Sequence, residues 1–214
     1  MNYVQQLSKN PNKPFLFSYR RCPYAMRARM ALVGSNIDFD LYEISLRNKP
    51  REMLRLSPKG TVPIMIINDL ILDESLDIMQ WACQQPTAAR FLMTKEKEIV
   101  EVNQLVNIND NEFKERLDFY KYSDRNPSIS LERHFRHCLF FLELLESRLK
   151  KTQYLLSNNI GYADIAIFPF LRQFANVNYD WFLNSNFRNL VKWLEGLAES
   201  NLFKEIMIKP KLRR

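Results

Sequence analysis

The dipeptide Cys22-Pro23 most narrows what this chain can fold into. It stands between a short apolar run, Phe15-Leu16-Phe17, that reads as a strand, and a segment of helical period that begins at about Tyr24. Proline suits the first helical turn, where its missing N–H would have had no intrahelical acceptor and its φ is already helical. Cys22 is therefore the expected N-cap. A cysteine there meets unpaired backbone N–H groups and the positive end of the helix dipole, both of which favour thiolate over thiol. Arg20, Arg21, Arg27 and Arg29 add positive potential. A lone free cysteine is more often a small buried hydrophobe; the proline and the arginines favour a nucleophile. Cys22-Pro23-Tyr24-Ala25 has no second cysteine, so a redox cycle at Cys22 needs an external thiol.

The flanking pattern is that of an α/β unit. Asn10-Pro11-Asn12-Lys13-Pro14 prevents regular structure in the first 14 residues. A strand at about Phe15–Ser18, the helix after Cys22 ending near Gly34, and a second strand at Phe39–Ile44 make a βαβ start. A charged, weakly helical crossover, Arg47–Leu56, follows. Thr61–Ile67 and Leu70–Leu72 about Asn68-Asp69 read as a hairpin, with Pro63 tolerated at the head of its first strand. A cis bond before Pro63 would expose the Val62 backbone to a peptide-like ligand. Asp73-Glu74-Ser75 opens a short amphipathic helix. Ordinary capping explains that triplet; alternatively Ser75 meets a ligand carboxylate and Glu74 an ammonium.

Four motifs, in order, carry a family likeness: Arg21-Cys22-Pro23-Tyr24-Ala25, Leu46-Arg47-Asn48-Lys49-Pro50, Gly60-Thr61-Val62-Pro63 and Asp73-Glu74-Ser75. Residues 15–85 resemble the glutathione-binding domain of the glutathione transferases, nearest the omega class and its relatives among the glutaredoxins. The stretch from Arg172 to Trp181 more loosely resembles the larger two-domain bacterial glutaredoxins. The resemblance implies a thioredoxin-like α/β domain followed by an all-α domain. The expected divisions are an N-terminal extension at 1–14, the glutathione-binding domain at 15–86, a linker at 87–94 and an all-helical domain at 95–214. It also implies roles. Cys22 would form a mixed disulfide with glutathione, with Tyr24 beside it. Lys49 would face the glycine carboxylate, Val62 before a cis Pro63 would pair with the cysteinyl unit, and Glu74 with Ser75 would hold the γ-glutamyl end.

The second half reads as helices. Ile99, Val102, Val106, Phe113 and Leu117 form one stripe, interrupted by Asn103, Gln104, Asn107, Asn109 and Asn111. Those amides read as a solvated face, or as part of a polar pocket for a second substrate; Tyr120, Tyr122 and Trp181 are candidate walls. Asn126-Pro127-Ser128 opens a helix carrying Phe135, Cys138, Leu142, Leu145 and Leu149. His134, His137 and Cys138 share a face, but zinc wants three or four convergent ligands, and no metal is expected. Ile160-Gly161-Tyr162-Ala163-Asp164-Ile165 opens a further helix, where Ile160 and Ile165 can form a staple across the N-cap and Gly161, as N-cap, offers no side-chain acceptor. Pro169 should kink that helix.

Three cysteines at irregular spacing point to free thiols in a reducing, cytoplasmic setting. The net charge of +7 is spread evenly over the two halves, which argues against nucleic acid, and no apolar run is long enough for a membrane. The leading expectation is a glutathione-dependent thiol transferase that reduces mixed disulfides through Cys22, with dehydroascorbate as a further candidate substrate. Glutathione is then a co-substrate, and the partner a small-molecule or protein disulfide. Conjugation of glutathione to electrophiles and a non-enzymatic interaction module are the alternatives; monomer and homodimer are both open.

Overall fold

Strand β1, Phe15–Ser18, is buried along its whole length because it is an inner strand of a four-stranded sheet ordered β2-β1-β3-β4. The computed structural model describes residues 12–88, 96–122 and 131–209, and the first 11 residues and most of the expected linker lie outside these. β1 runs parallel to β2, Asp40–Glu43, with Phe15 opposite Asp40, and antiparallel to β3, Ile64–Ile67, with Phe17 opposite Ile64. β3 then pairs antiparallel with the edge strand β4, Leu70–Leu72, through a turn in which Asn68 has φ 50°. Asparagine tolerates that left-handed conformation better than most residues.

Helix α1, Pro23–Gly34, is buried on nearly every side, from Ala25 through Leu32. Such a helix belongs to the interior of a unit, not to its surface. It packs against α3, Ser75–Cys83, and against α10, Asn201–Ile206. A short α2, Arg51–Leu56, lies in the crossover after β2. Phe15, Phe17, Ala25, Ile44, Met53, Val62, Ile64 and Ile66 form a core against which Cys22 packs.

The chain divides into two compact units, residues 1–92 with 201–214, and residues 93–200. Position in the chain groups α10 with the helical residues before it; its packing on α1 groups it with the first unit.

The second unit comprises α4, Ile99–Ile108; a π turn, Asn109–Phe113; α5, Lys114–Lys121; α6, Leu131–Leu149; α7, Tyr162–Ala175; α8, Tyr179–Leu183; and α9, Arg188–Glu199. Val102, Val106, Phe113 and Leu117 are buried as the stripe requires, but Ile99 is exposed at the end of α4. The amides divide as well: Asn103, Gln104, Asn107 and Asn111 are exposed, whereas Asn109 is fully buried where the π turn inserts its extra residue. Tyr120 and Trp181 join Phe135 and Phe174 in an aromatic cluster, and Tyr122 is exposed. α7 continues through Pro169. The helix expected to open at Asn126-Pro127-Ser128 starts, within the described residues, at Leu131.

Candidate functional site

Cys22 is the N-cap of α1 with Pro23 at N1, its backbone extended at φ −74° and ψ 123°. Its N–H donates to the Tyr19 carbonyl at 2.9 Å, and its carbonyl accepts the Met26 N–H at 2.9 Å, so the residue closes a turn and opens a helix at once. The thiol does not cap the helix. It points instead at the Val62 carbonyl, 3.6 Å away, beside a cis Val62–Pro63 bond. The Val62 N–H donates to no described residue.

The other expected residues lie in the same unit, at the start of α3, in the first turn of α1 and in the loops before α2 and β3. Glu74 is the N-cap of α3, and Ser75 is its first residue, 3% exposed. Ser75 Oγ accepts from Arg27 Nη1 at 3.3 Å, and the same guanidinium lies 5.7 Å from the centre of the half-buried Tyr24 ring. Arg27 thus connects the helix of the thiol to the start of α3. Lys49 follows a tight turn bridged between Ser45 and Asn48. Its ammonium lies near Gly60, whose φ of 62° is left-handed and favours glycine; a side chain there would also press on Leu54.

Lys59 was not among the expected site residues. Its Nζ donates to Glu74 Oε1 at 2.6 Å and Asp73 Oδ1 at 3.2 Å. Those two carboxylates raise the lysine's pKa; the Ser57 hydroxyl, donating to Asp73 Oδ2 at 2.7 Å, and Lys59 hold the Asp73 carboxyl below its usual range. The turn Ser57-Pro58-Lys59-Gly60 signals only a reversal, and the carboxylates that Lys59 meets lie 14 and 15 residues on. Arg27 and Arg29 are both fully buried, not solvated sources of potential. Their setting among Ala25, Met26, Ala28, Met30 and Leu32 was the available signal.

Together these residues present a thiol at a helix N-terminus, a backbone edge at Val62, a carboxylate and hydroxyl at the start of α3, and two ammoniums. That set suits a small anionic, peptide-like molecule carrying both an ammonium and carboxylates. No group of His, Cys, Asp and Glu among the described residues could hold a metal ion; His134 stacks on Phe119 at 4.6 Å, and His137 is exposed. Cys83 and Cys138 are free thiols that burial pushes up to about 11 and about 12. An open groove of about 530 Å³ in the second unit, lined among others by Lys150, Lys151, Lys192 and Trp193, includes none of the expected residues.

Residues 16–90 match the family model described as glutathione S-transferase, N-terminal domain, and residues 130–196 that described as glutathione S-transferase, C-terminal domain. Glutathione S-transferase U28 of Arabidopsis thaliana is 25% identical over 202 residues, 91% of this chain and 88% of its own. Pyrimidodiazepine synthase of Drosophila melanogaster is 27% identical over 201 residues, 85% of this chain and 75% of its own. Among solved structures, a glutathione transferase family member from Pseudomonas fluorescens with two glutathione bound superposes with a TM-score of 0.82 over 97% of this chain and 98% of its own, at 18% identity. No helix among the described residues is long and apolar enough to cross a membrane.

Proposed function

The chain belongs to the glutathione transferase superfamily, and from that premise we propose that it is a glutathione-dependent thiol transferase working through Cys22. The observation that carries this reading is the thiol itself: a cysteine at the N-cap of α1, aimed at the Val62 carbonyl beside cis Pro63. An active-site hydroxyl can activate a bound glutathione thiol for conjugation. A cysteine there tends to be consumed by glutathione, forming a disulfide.

In the proposed cycle the Cys22 thiolate attacks the glutathione sulfur of a mixed disulfide. The S–S bond breaks, the substrate thiol leaves with the electron pair and takes a proton, and Cys22 keeps the glutathionyl group. A second glutathione thiolate then attacks that group, giving glutathione disulfide and restoring the Cys22 thiolate. The net change is one substrate disulfide reduced by two electrons, with both glutathione units leaving as their disulfide.

Each binding residue has an assignable part. Lys49 meets the glycine carboxylate, and the Val62 backbone pairs with the cysteinyl unit next to Pro63. Ser75 and the first N–H groups of α3 hold the γ-glutamyl carboxylate, while Glu74 takes its ammonium. Tyr24 lies beside the thiol. A cytoplasmic, reducing setting suits such a cycle.

A second reading, conjugation of glutathione to electrophiles, is favoured by the Arabidopsis relative, a protein named as a glutathione S-transferase. Tyr24 would then stabilise the glutathione thiolate and Cys22 would stand by. One experiment separates the two. Glutathione-dependent reduction of hydroxyethyl disulfide and conjugation of 1-chloro-2,4-dinitrobenzene are measured for the intact protein and Cys22→Ser. The proposal expects reduction that is lost in the variant and weak conjugation in the intact protein. Reduction that survives Cys22→Ser overturns it. Glutathione binding with neither activity would point to an interaction module.

A further inference from the structure

Arg29 lies seven residues beyond Cys22, two helical turns down α1 on the same face. Long helical side chains lean toward the N-terminus, which brings its guanidinium up beneath the turn that presents the thiol. There it makes three bonds. Nη2 donates to the Arg20 carbonyl at 2.8 Å, and Nη1 donates to the Tyr19 carbonyl at 3.4 Å and to the Ser18 hydroxyl. The Tyr19 carbonyl is also the acceptor of the Cys22 N–H. One oxygen therefore joins the arginine to the backbone of the nucleophile.

A charge in this position is costly to bury, and Arg29 is 1% exposed. Its Nε–H has no acceptor among the described residues. Packing would be served as well by Leu or Met. Burial pulls the guanidinium down to about 10, so it is still charged at neutral pH; the charges of Glu43 and Cys22 counter this, and that of Arg20 adds to it. Glu43, at the end of β2, accepts the Arg20 N–H at 2.7 Å through Oε1, while its buried Oε2 has no hydrogen-bond partner among the described residues. On the elements packed against α1, Asp77 of α3 and Lys204 and Glu205 of α10 are exposed.

We propose that Arg29 is a positioning residue for Cys22: it fixes the Tyr19–Cys22 turn and supplies a buried positive charge beneath the turn that presents the thiol, with Glu43 as the opposing charge. The inference rests on the reading of Cys22 as the reacting thiol. It divides the two buried arginines of α1, Arg29 serving the thiol and Arg27 serving Ser75. Two opposite substitutions then have opposite effects. Removing the cation raises the pH at which Cys22 ionises, and removing the anion lowers it.

The test is the rate of Cys22 alkylation by iodoacetamide against pH, read by mass spectrometry at that residue, in the full chain and in Arg29→Gln, Arg29→Lys and Glu43→Gln. Arg29→Gln should move the midpoint up by about one unit. The high-pH plateau then rises about threefold, because a thiolate of higher pKa is the stronger nucleophile. Arg29→Lys, which keeps the charge, should restore most of the midpoint. Glu43→Gln should move it down. Structural loosening alone would not move the two glutamine variants in opposite directions.

A midpoint that stays put in Glu43→Gln, or moves the same way in both glutamine variants, overturns the proposal. If Arg29→Gln fails to fold by circular dichroism, Arg29→Lys and Glu43→Gln still decide it. Hydroxyethyl disulfide reduction is measured alongside: opposed midpoint shifts in a protein without that activity would sink the thiol-transferase reading and leave the role of Arg29 standing.

Discussion

Asp164→Ala tests how the second unit is held. The Asp164 carboxylate is 1% exposed and accepts three hydrogen bonds, from the Gly161 N–H at 2.9 Å, the Leu155 N–H at 3.0 Å and Trp193 Nε1–H at 2.7 Å. Alanine leaves all three donors without this acceptor, at about 1–3 kcal/mol each. Against that, it removes a carboxylate that burial, opposed by those same donors, pushes from 3.8 up to about 6. A rise of about two units costs the folded state about 3 kcal/mol above both values. Taking about 2 kcal/mol per donor, the lost bonds win, and the variant should be about 3 kcal/mol less stable at pH 8.

The pH dependence supplies the sharper test. Between 3.8 and about 6 the folded state binds the Asp164 proton and the unfolded state does not. The wild type therefore loses stability as pH rises through that window and regains it on acidification, while the variant has no such term. The cost of Asp164→Ala should grow by about 1 kcal/mol between pH 8 and pH 5. Urea unfolding followed by far-UV circular dichroism measures it, and at pH 8 the loss corresponds to a midpoint shift of about 1 M. A cost that shrinks on acidification would refute the reasoning, because the three donors and the helix N-terminus would then outweigh burial.

Two further outcomes are expected. At pH 7 iodoacetamide should modify Cys22 at least about tenfold faster than Cys83 or Cys138: burial raises Cys83 from 9.0 to about 11, which leaves it about 100-fold less thiolate than an unburied thiol, of which its greater nucleophilicity recovers about tenfold, and Cys138 is raised further. Peptide mapping of the singly alkylated protein checks this. Glu74→Gln should raise the KM for glutathione several-fold and leave the unfolding midpoint unchanged, because the Lys59 pair it breaks is exposed; a shifted midpoint with an unchanged KM would assign Glu74 to structure.

The elements that organise the candidate site were legible because their causes are local. Proline at N1 and an apolar run before it predict a strand, an N-cap and a helix wherever they occur, and the described structure has β1, Cys22 and α1 in that order. The hairpin about Asn68-Asp69, the start of α3 at Ser75 and that of α7 after Gly161 follow from turn and capping chemistry that acts within a few residues. The second strand, expected at Phe39–Ile44, is limited to Asp40–Glu43 by the length of the β1 strand it pairs with.

What only the tertiary structure decided are pairings between positions that periodicity cannot relate. Arg27 and Arg29 read as charged residues on a helix, and charge alone suggests solvent. They are buried because α1 is covered by α3 and α10, and because Ser75, Ser18 and the Tyr19 and Arg20 carbonyls accept their protons. Asn109 belongs to a run of amides whose polarity suggests one solvated face, yet it shares the stripe of Val102 and Val106 and is fully buried at the start of the π turn. Lys59 finds Glu74, and α10 returns to α1 from the far end of the chain. A sequence determines which segments can be helices and strands through forces that act over one or two turns; which charged groups those segments bury together depends on how distant elements close over one another.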